Sequence, residues 1–181
     1  MAGPASYGAG ARLFHWLTVA LLLVIVPLGL VMGRLPRGAL QNTAFITHES
    51  LGLTVLAVTL LRLAWRLTHS VPSPSSDLSS IEVLASGGVH WLLYVVLIVM
   101  PLMGYFFLAF SGIDLHYFGL LRVPEPVTQD KEAGKIFLAV HASLQWAVYG
   151  LVLMHVGAAL HHYFMRRNDV LQRMLPSLRR R

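Results

Sequence analysis

The chain has 181 residues, 56% of them hydrophobic and only 12% charged, with a mean hydropathy of +0.64. Soluble domains carry about 25% charged residues, so the composition excludes one and points to a small helical membrane protein with no separate soluble domain. There is no cysteine, which excludes disulfides, thiolate metal centres and covalent haem attachment, and the net charge of +6 comes from basic residues beside apolar runs and in a tail, a lipid-anchor pattern and not a nucleic-acid one.

The first predicted span covers about residues 13–32. It opens on His15, with Arg12 one turn earlier, and contains Pro27. Its length, and Arg34 and Arg37 beyond it, argue against a cleaved signal. A short turn-rich loop, "GRLPRGALQN", leads to a second span at about 46–67, which opens on His48 and closes with Arg62 and Arg66. The next connection, "HSVPSPSSDLSSIEVLASGG", reads as Ser/Pro-rich loop followed by a short interfacial helix. The third span, about 89–110, begins at His90 and contains Pro101 and Gly104. The longest connection holds an interfacial stretch, "HYFGLL". The fourth span, about 136–164, carries His141 and His155 inside it and closes on His161 and His162. The segment 166–181 is a basic tail. The whole is expected to be all-α, one four-helix transmembrane bundle over 1–181.

Lysines and arginines divide nine against five in favour of the side holding both termini, which places the termini in the cytoplasm. That orientation gives each histidine a depth. His48 and His141 begin their spans on the outside, whereas His15 and His155 lie toward the inside. On the fourth span, His141 and His155 fall only ~40° apart around the axis and roughly 21 Å apart along it, one per leaflet. The four therefore sort into an outer pair, His48 with His141, and an inner pair, His15 with His155. Each pair draws on two helices.

A haem iron takes two axial ligands from opposite sides of a flat ring, and imidazoles on facing helices supply them. Gly52, Gly104 and Gly150 offer space for a flat group. A lone histidine near a span end is more often explained by the membrane interface. Two pairs matched in depth, and the deep position of His155, favour function. No close carboxylate–histidine cluster suggests metal transport, and Glu49 beside His48 is the only intimate acid. His90, His161 and His162 form a second group at the inner surface, either interfacial or a quinone site. Arg12, Arg62 and Arg66 suit haem propionates, or positive-inside anchoring. An aromatic belt accounts for most of Trp16, Trp65, Trp91 and Trp146.

The chain resembles the bacterial cytochrome b561 family over nearly its whole length. The carriers are "LFHWLT", "FITHESLG", "GGVHWLLYVVLIVMPLMGY", "VHASLQW", "VLMHVGAALHHYF" and "NDVLQRMLP", in this order and spacing. The resemblance implies two non-covalent b haems, His15 and His155 ligating the inner iron and His48 and His141 the outer. It also implies a quinone site near the histidines that close the fourth span. One branch of the family oxidises superoxide outside and reduces ubiquinone near the cytoplasmic face of the bacterial inner membrane. That branch carries lysines in the second loop, where "VPSPSSDLSSIEV" here has none. The expectation is therefore a multi-pass oxidoreductase of the inner membrane that wires an outer donor to ubiquinone. The donor is a small molecule or a protein, and lipid and quinone are the other partners. Two other readings stay open: a cytochrome b subunit that anchors a dehydrogenase or hydrogenase to the quinone pool, and a haem-free histidine transporter or proton channel.

Overall fold

A computed structural model describes residues 6–175. Four long helices dominate it: α1, Ala9–Val31; α2, Ala39–Thr68; α3, Ser80–Ser111; and α4, Lys131–His161. All four are long and apolar enough to cross a membrane. α3 packs most extensively on α4 and α1 on α2, while α2 joins the two halves through α3. Few side chains are buried between protein surfaces, among them Val55, Val58, Leu97 and Val148. The outward faces, including Leu23, Leu92 and Leu153, are exposed and apolar, as lipid-facing helices require.

The helices outrun the spans read from the sequence, because apolarity marks the membrane-embedded part while backbone chemistry decides where a helix starts. α3 begins nine residues before the expected position 89 and absorbs the separately expected interfacial helix. A capping box starts it: the Ser79 side chain accepts the Glu82 N–H at 3.3 Å, and the Glu82 carboxylate accepts the Ser79 N–H at 2.8 Å. Asp130 caps α4 in the same sense, accepting the Glu132 and Ala133 N–H groups. α2 likewise takes in "ALQN", which reads as loop in the sequence. Pro27 and Pro101 lie within helices that continue past them.

One end of the bundle, here the upper end, carries the α1–α2 and α3–α4 connections. The other, the lower end, carries the termini and the α2–α3 connection. At the upper end, β1 (His116–Tyr117) pairs antiparallel with β2 (Leu121–Arg122), and this hairpin lies on α2. The Phe118 N–H donates to the Ser50 hydroxyl at 2.7 Å, and the Tyr117 hydroxyl meets Thr54 at 3.0 Å. Thr54 already donates to the Ser50 carbonyl, so Tyr117 is the donor. Ser50 is fully buried as a result.

At the lower end the tail is folded, and two of its arginines, Arg166 and Arg173, are engaged by the protein. Arg166 pairs with Glu82 at 3.1 Å and donates to the Asp77 carbonyl. Arg173 pairs with Asp169 at 2.9 Å and donates to the Ser73 carbonyl. Its own carbonyl accepts the Tyr7 N–H, while the Trp16 indole donates to the Met174 carbonyl. These contacts clamp residues 166–174 across α1 and the α2–α3 connection. Of the rest of the expected basic cluster, Arg167 is exposed, while Arg179, Arg180 and Arg181 lie outside the described residues.

Candidate functional site

Each of the four principal histidines is set by its helix at a depth shared with one other. His48 and His141 stand about two and a half turns in from the starts of α2 and α4. Their ring centres lie 6.2 Å apart with planes at 83°. His15 and His155 stand near the lower ends of α1 and α4, with ring centres 6.1 Å apart and planes at 66°. An imidazole nitrogen sits about 2.0 Å from a bound transition metal. Two such bonds in line, with half a ring beyond each, come to roughly 6 Å between ring centres. Both pairs have the separation that one metal between two imidazoles requires.

The upper pair faces a cavity of about 480 Å³ whose lining includes Leu22, Gly29, His48, Gly52, Gly104 and His141. Leu115, only 2% exposed and just before the hairpin, also lines it. Glycines cradle both rings. A Cβ on Gly29 would fall 2.9 Å from His48 Cε1, and one on Gly104 would fall 3.1 Å from His141 Nδ1. Of the glycines singled out in the sequence, Gly104 touches a ring and Gly52 lines the cavity, while Gly150 faces open space. Gly29 escaped notice because nothing in "PLGL" marks it as opposite a histidine.

The tautomer of His141 is readable. Its Nδ1 lies 2.8 Å from the Met100 carbonyl, which only accepts, so Nδ1 carries the proton and Nε2 is free to ligate. His48 Nδ1 is buried without a hydrogen-bond partner; the Ile25 carbonyl is beside it but outside bonding geometry. An orphaned buried nitrogen in an apolar cavity is costly unless the ring is engaged elsewhere. The upper site fits a haem on three counts: ring separation, glycine cradles and a ligation-ready tautomer.

The lower pair is more crowded. The His90 ring centre lies 5.3 Å from that of His155, too close for a metal between them, so His90 stands beside the pair and not opposite it. The sequence groups His90 with His161 and His162 at the inner surface; because α3 starts at Ser80, His90 instead stands ten residues into the helix, beside His155. Arg62 reaches His15 Nδ1 at 3.2 Å and lies over the Tyr94 ring at 5.4 Å. Guanidinium only donates, so this contact leaves the His15 proton on Nε2. Ligation through Nε2 needs the opposite tautomer, and Arg62 must then release the ring. Arg66 lies over Trp91 at 5.9 Å, and Arg12 occupies the first turn of α1. His161 ends α4 exposed, while His162 is tied to Asn168 at 3.0 Å. Among the described residues, no three His, Asp or Glu side chains converge to hold a bare metal ion.

Half-buried histidines paired between membrane-spanning helices point to a class, the multi-pass helical membrane haem proteins. The profile of the prokaryotic cytochrome b561 family matches residues 6–177, and the chain belongs to that family. It is 30% identical to "Cytochrome b561 homolog 2" of Escherichia coli (strain K12) over 95% of this chain and 92% of the relative. It is 27% identical to "Cytochrome b561 homolog 1" of the same organism, covering 90% of this chain and 92% of the relative. It is 26% identical to "Probable superoxide oxidase CybB" of Yersinia pestis, covering 91% and 93%. Family membership implies membrane electron transfer and b-type haem.

Proposed function

We propose that the protein transfers electrons across the bacterial inner membrane through two b haems, from superoxide at the outer face to ubiquinone near the inner face. Both termini are cytoplasmic, so the upper pair, His48 and His141, holds the outer haem, and His15 and His155 hold the inner one. The observation that carries this reading is the near-equal spacing of the two ring pairs, 6.2 Å and 6.1 Å, at two depths. Haem, when bound, would supply reversible one-electron chemistry, and the four histidines would be the residues that hold it.

The chain's own residues do the rest. The Met100 carbonyl holds the His141 proton on Nδ1 and raises the basicity of Nε2. Leu115, buried just before the hairpin, lines the outer cavity with apolar surface. Arg62, on leaving His15, presents a planar fork suited to a propionate, with Arg12 and Arg66 as further cationic groups at that end. His162 meets the quinone carbonyl from the inner surface, with His161 next to it. His90 lies on the inner haem's flank. The superoxide assignment draws on the printed name of the Yersinia pestis relative. Stopped-flow mixing of the protein in lipid discs with superoxide and a ubiquinone tests it. Near-diffusional haem reduction followed by quinol formation is the expected result; slow reduction removes superoxide as donor.

One observation favours a second reading, a subunit that anchors a dehydrogenase or hydrogenase. The outer face lacks a strong positive field. Arg122 pairs with Asp114 and Lys135 with Glu132, both at 2.7 Å, and Arg34 is drawn to the Leu30 carbonyl. Anion capture there gains little from steering. Retention of a redox partner through mild purification supports this reading, and full superoxide:quinone activity of the lone chain removes it.

A further inference from the structure

We infer that Asn168 fixes the tautomer of His162, holding the ring proton on Nε2 so that this nitrogen donates a hydrogen bond to the quinone carbonyl. The inference rests on the quinone reading of His162.

It begins with a local departure from α-helix. After His161 the backbone widens into a π-turn, His162–Arg166, and Arg167 takes a left-handed conformation with φ 55°. π-turns recur at functional sites because they re-aim a side chain without ending the helix. Here the turn folds Asn168 back onto His162. The Asn168 N–H donates to the His162 carbonyl at 3.2 Å, and the Asn168 amide nitrogen lies 3.0 Å from His162 Nδ1. Arg166 pins the turn to Glu82 and to the Asp77 carbonyl, so the two residues cannot drift apart freely.

The amide's orientation follows from its neighbours. Asn168 is 7% exposed, so water cannot readily satisfy either end. Its Oδ1 receives the Val170 N–H at 3.5 Å, which leaves the NH₂ end toward the ring. An amide nitrogen donates and never accepts, so His162 Nδ1 must be the acceptor. A neutral imidazole with a bare Nδ1 carries its proton on Nε2. A quinone offers only carbonyl acceptors at that edge, while a quinol offers hydroxyl donors. An Nε2–H ring therefore favours the oxidised substrate over the reduced product. Asn168 touches neither, and acts as a positioning residue. The tail segment "NDVLQRMLP" thereby has a chemical role beyond clamping the lower end.

The test uses full-length protein in lipid discs, ¹⁵N-labelled at histidine, with His162→Gln identifying the resonances. Spectra are taken about two pH units above the ordinary imidazole value of ~6.5, where the ring is neutral. A bare Nδ1 and a protonated Nε2 are expected. Asn168→Asp keeps the shape but can only accept, so it should move the proton to Nδ1. At the same pH it should raise the KM for a soluble ubiquinone analogue about tenfold, as loss of one matched hydrogen bond implies. Haem content should not change. Asn168→Leu, which removes both ends of the amide, should raise KM less than the aspartate variant. A proton on Nδ1 in the unaltered protein overturns the inference while leaving the quinone site intact. An unchanged KM in His162→Gln instead removes the quinone reading, and the inference with it.

Discussion

The upper and lower histidine pairs share a spacing but not a state of readiness. At the upper pair, the Met100 carbonyl fixes one tautomer, two glycines leave room for both rings, and a cavity of about 480 Å³ lies open to them. At the lower pair, Arg62 holds His15 in the non-ligating tautomer and a third ring, His90, crowds His155. Backbone carbonyls and glycines are rigid features, set once the helices pack. A guanidinium on a flexible stem is a movable one. Upper-site preorganisation therefore belongs to the fold, while the lower site is completed only when a side chain moves.

The sharpest way to break this contrast is to fill the upper cradle. Gly29→Val places side-chain atoms where His48 Cε1 now sits, and we expect haem content to fall by about half with the lower haem retained. Gly150→Val, which meets nothing within 4 Å, should leave content unchanged by pyridine haemochrome assay. Equal haem loss in both variants would erase the distinction between a cradle and a helix that merely tolerates no bulk.

A smaller effect is expected from Arg62→Met. Removing a cation beside the lower site makes reduction there harder by ~1 kcal/mol, tens of millivolts for one electron. Redox titration should show one of two midpoints lowered and the other unmoved. His90→Phe should keep both haems, because His90 stands beside the pair. Loss of a haem in that variant would make His90 a ligand and rewrite the lower site.

The smallest effect concerns the clamp at the lower end. Burial acts to raise the Asp169 carboxyl, but hydrogen bonds from Ser75 and Arg173, with the Arg173 charge, hold it below its ordinary value of 3.8. A group depressed in the folded state stabilises it fully above the unfolded value, and loses that contribution as pH falls through the folded one. Hydrogen exchange over residues 169–173 should thus be as well protected at pH 6 as at pH 8. Protection should fade only in acid below about pH 4. A loss of protection between pH 6 and 8 would mean that Asp169 does not anchor the clamp.

Much of this was legible in the sequence, for definite reasons. A helix face repeats at a fixed angle, so His141 and His155 could be placed on one side of α4, and depth then matched them with His48 and His15. Depth depends on count along a helix, which a sequence states directly. What escaped notice depends on neighbours across space. Gly29 opposite His48, the Met100 carbonyl beside His141, and Arg62 on His15 are contacts between helices, and no periodicity reports them. The folded tail escaped for a related reason. Arg166 and Arg173 look like any membrane-flanking arginines until Glu82 and Asp169 are seen beside them. In the sequence the hairpin shows only an interfacial stretch, because its anchor, Ser50, lies far away in the chain on α2.

Haem counted per polypeptide, in the unaltered protein and in variants of one histidine from each pair, bears most directly on the central claim. We expect two low-spin haems per chain, one remaining in His48→Ala and the other remaining in His155→Ala. A single haem per chain in the unaltered protein, or both haems retained in either variant, would contradict it.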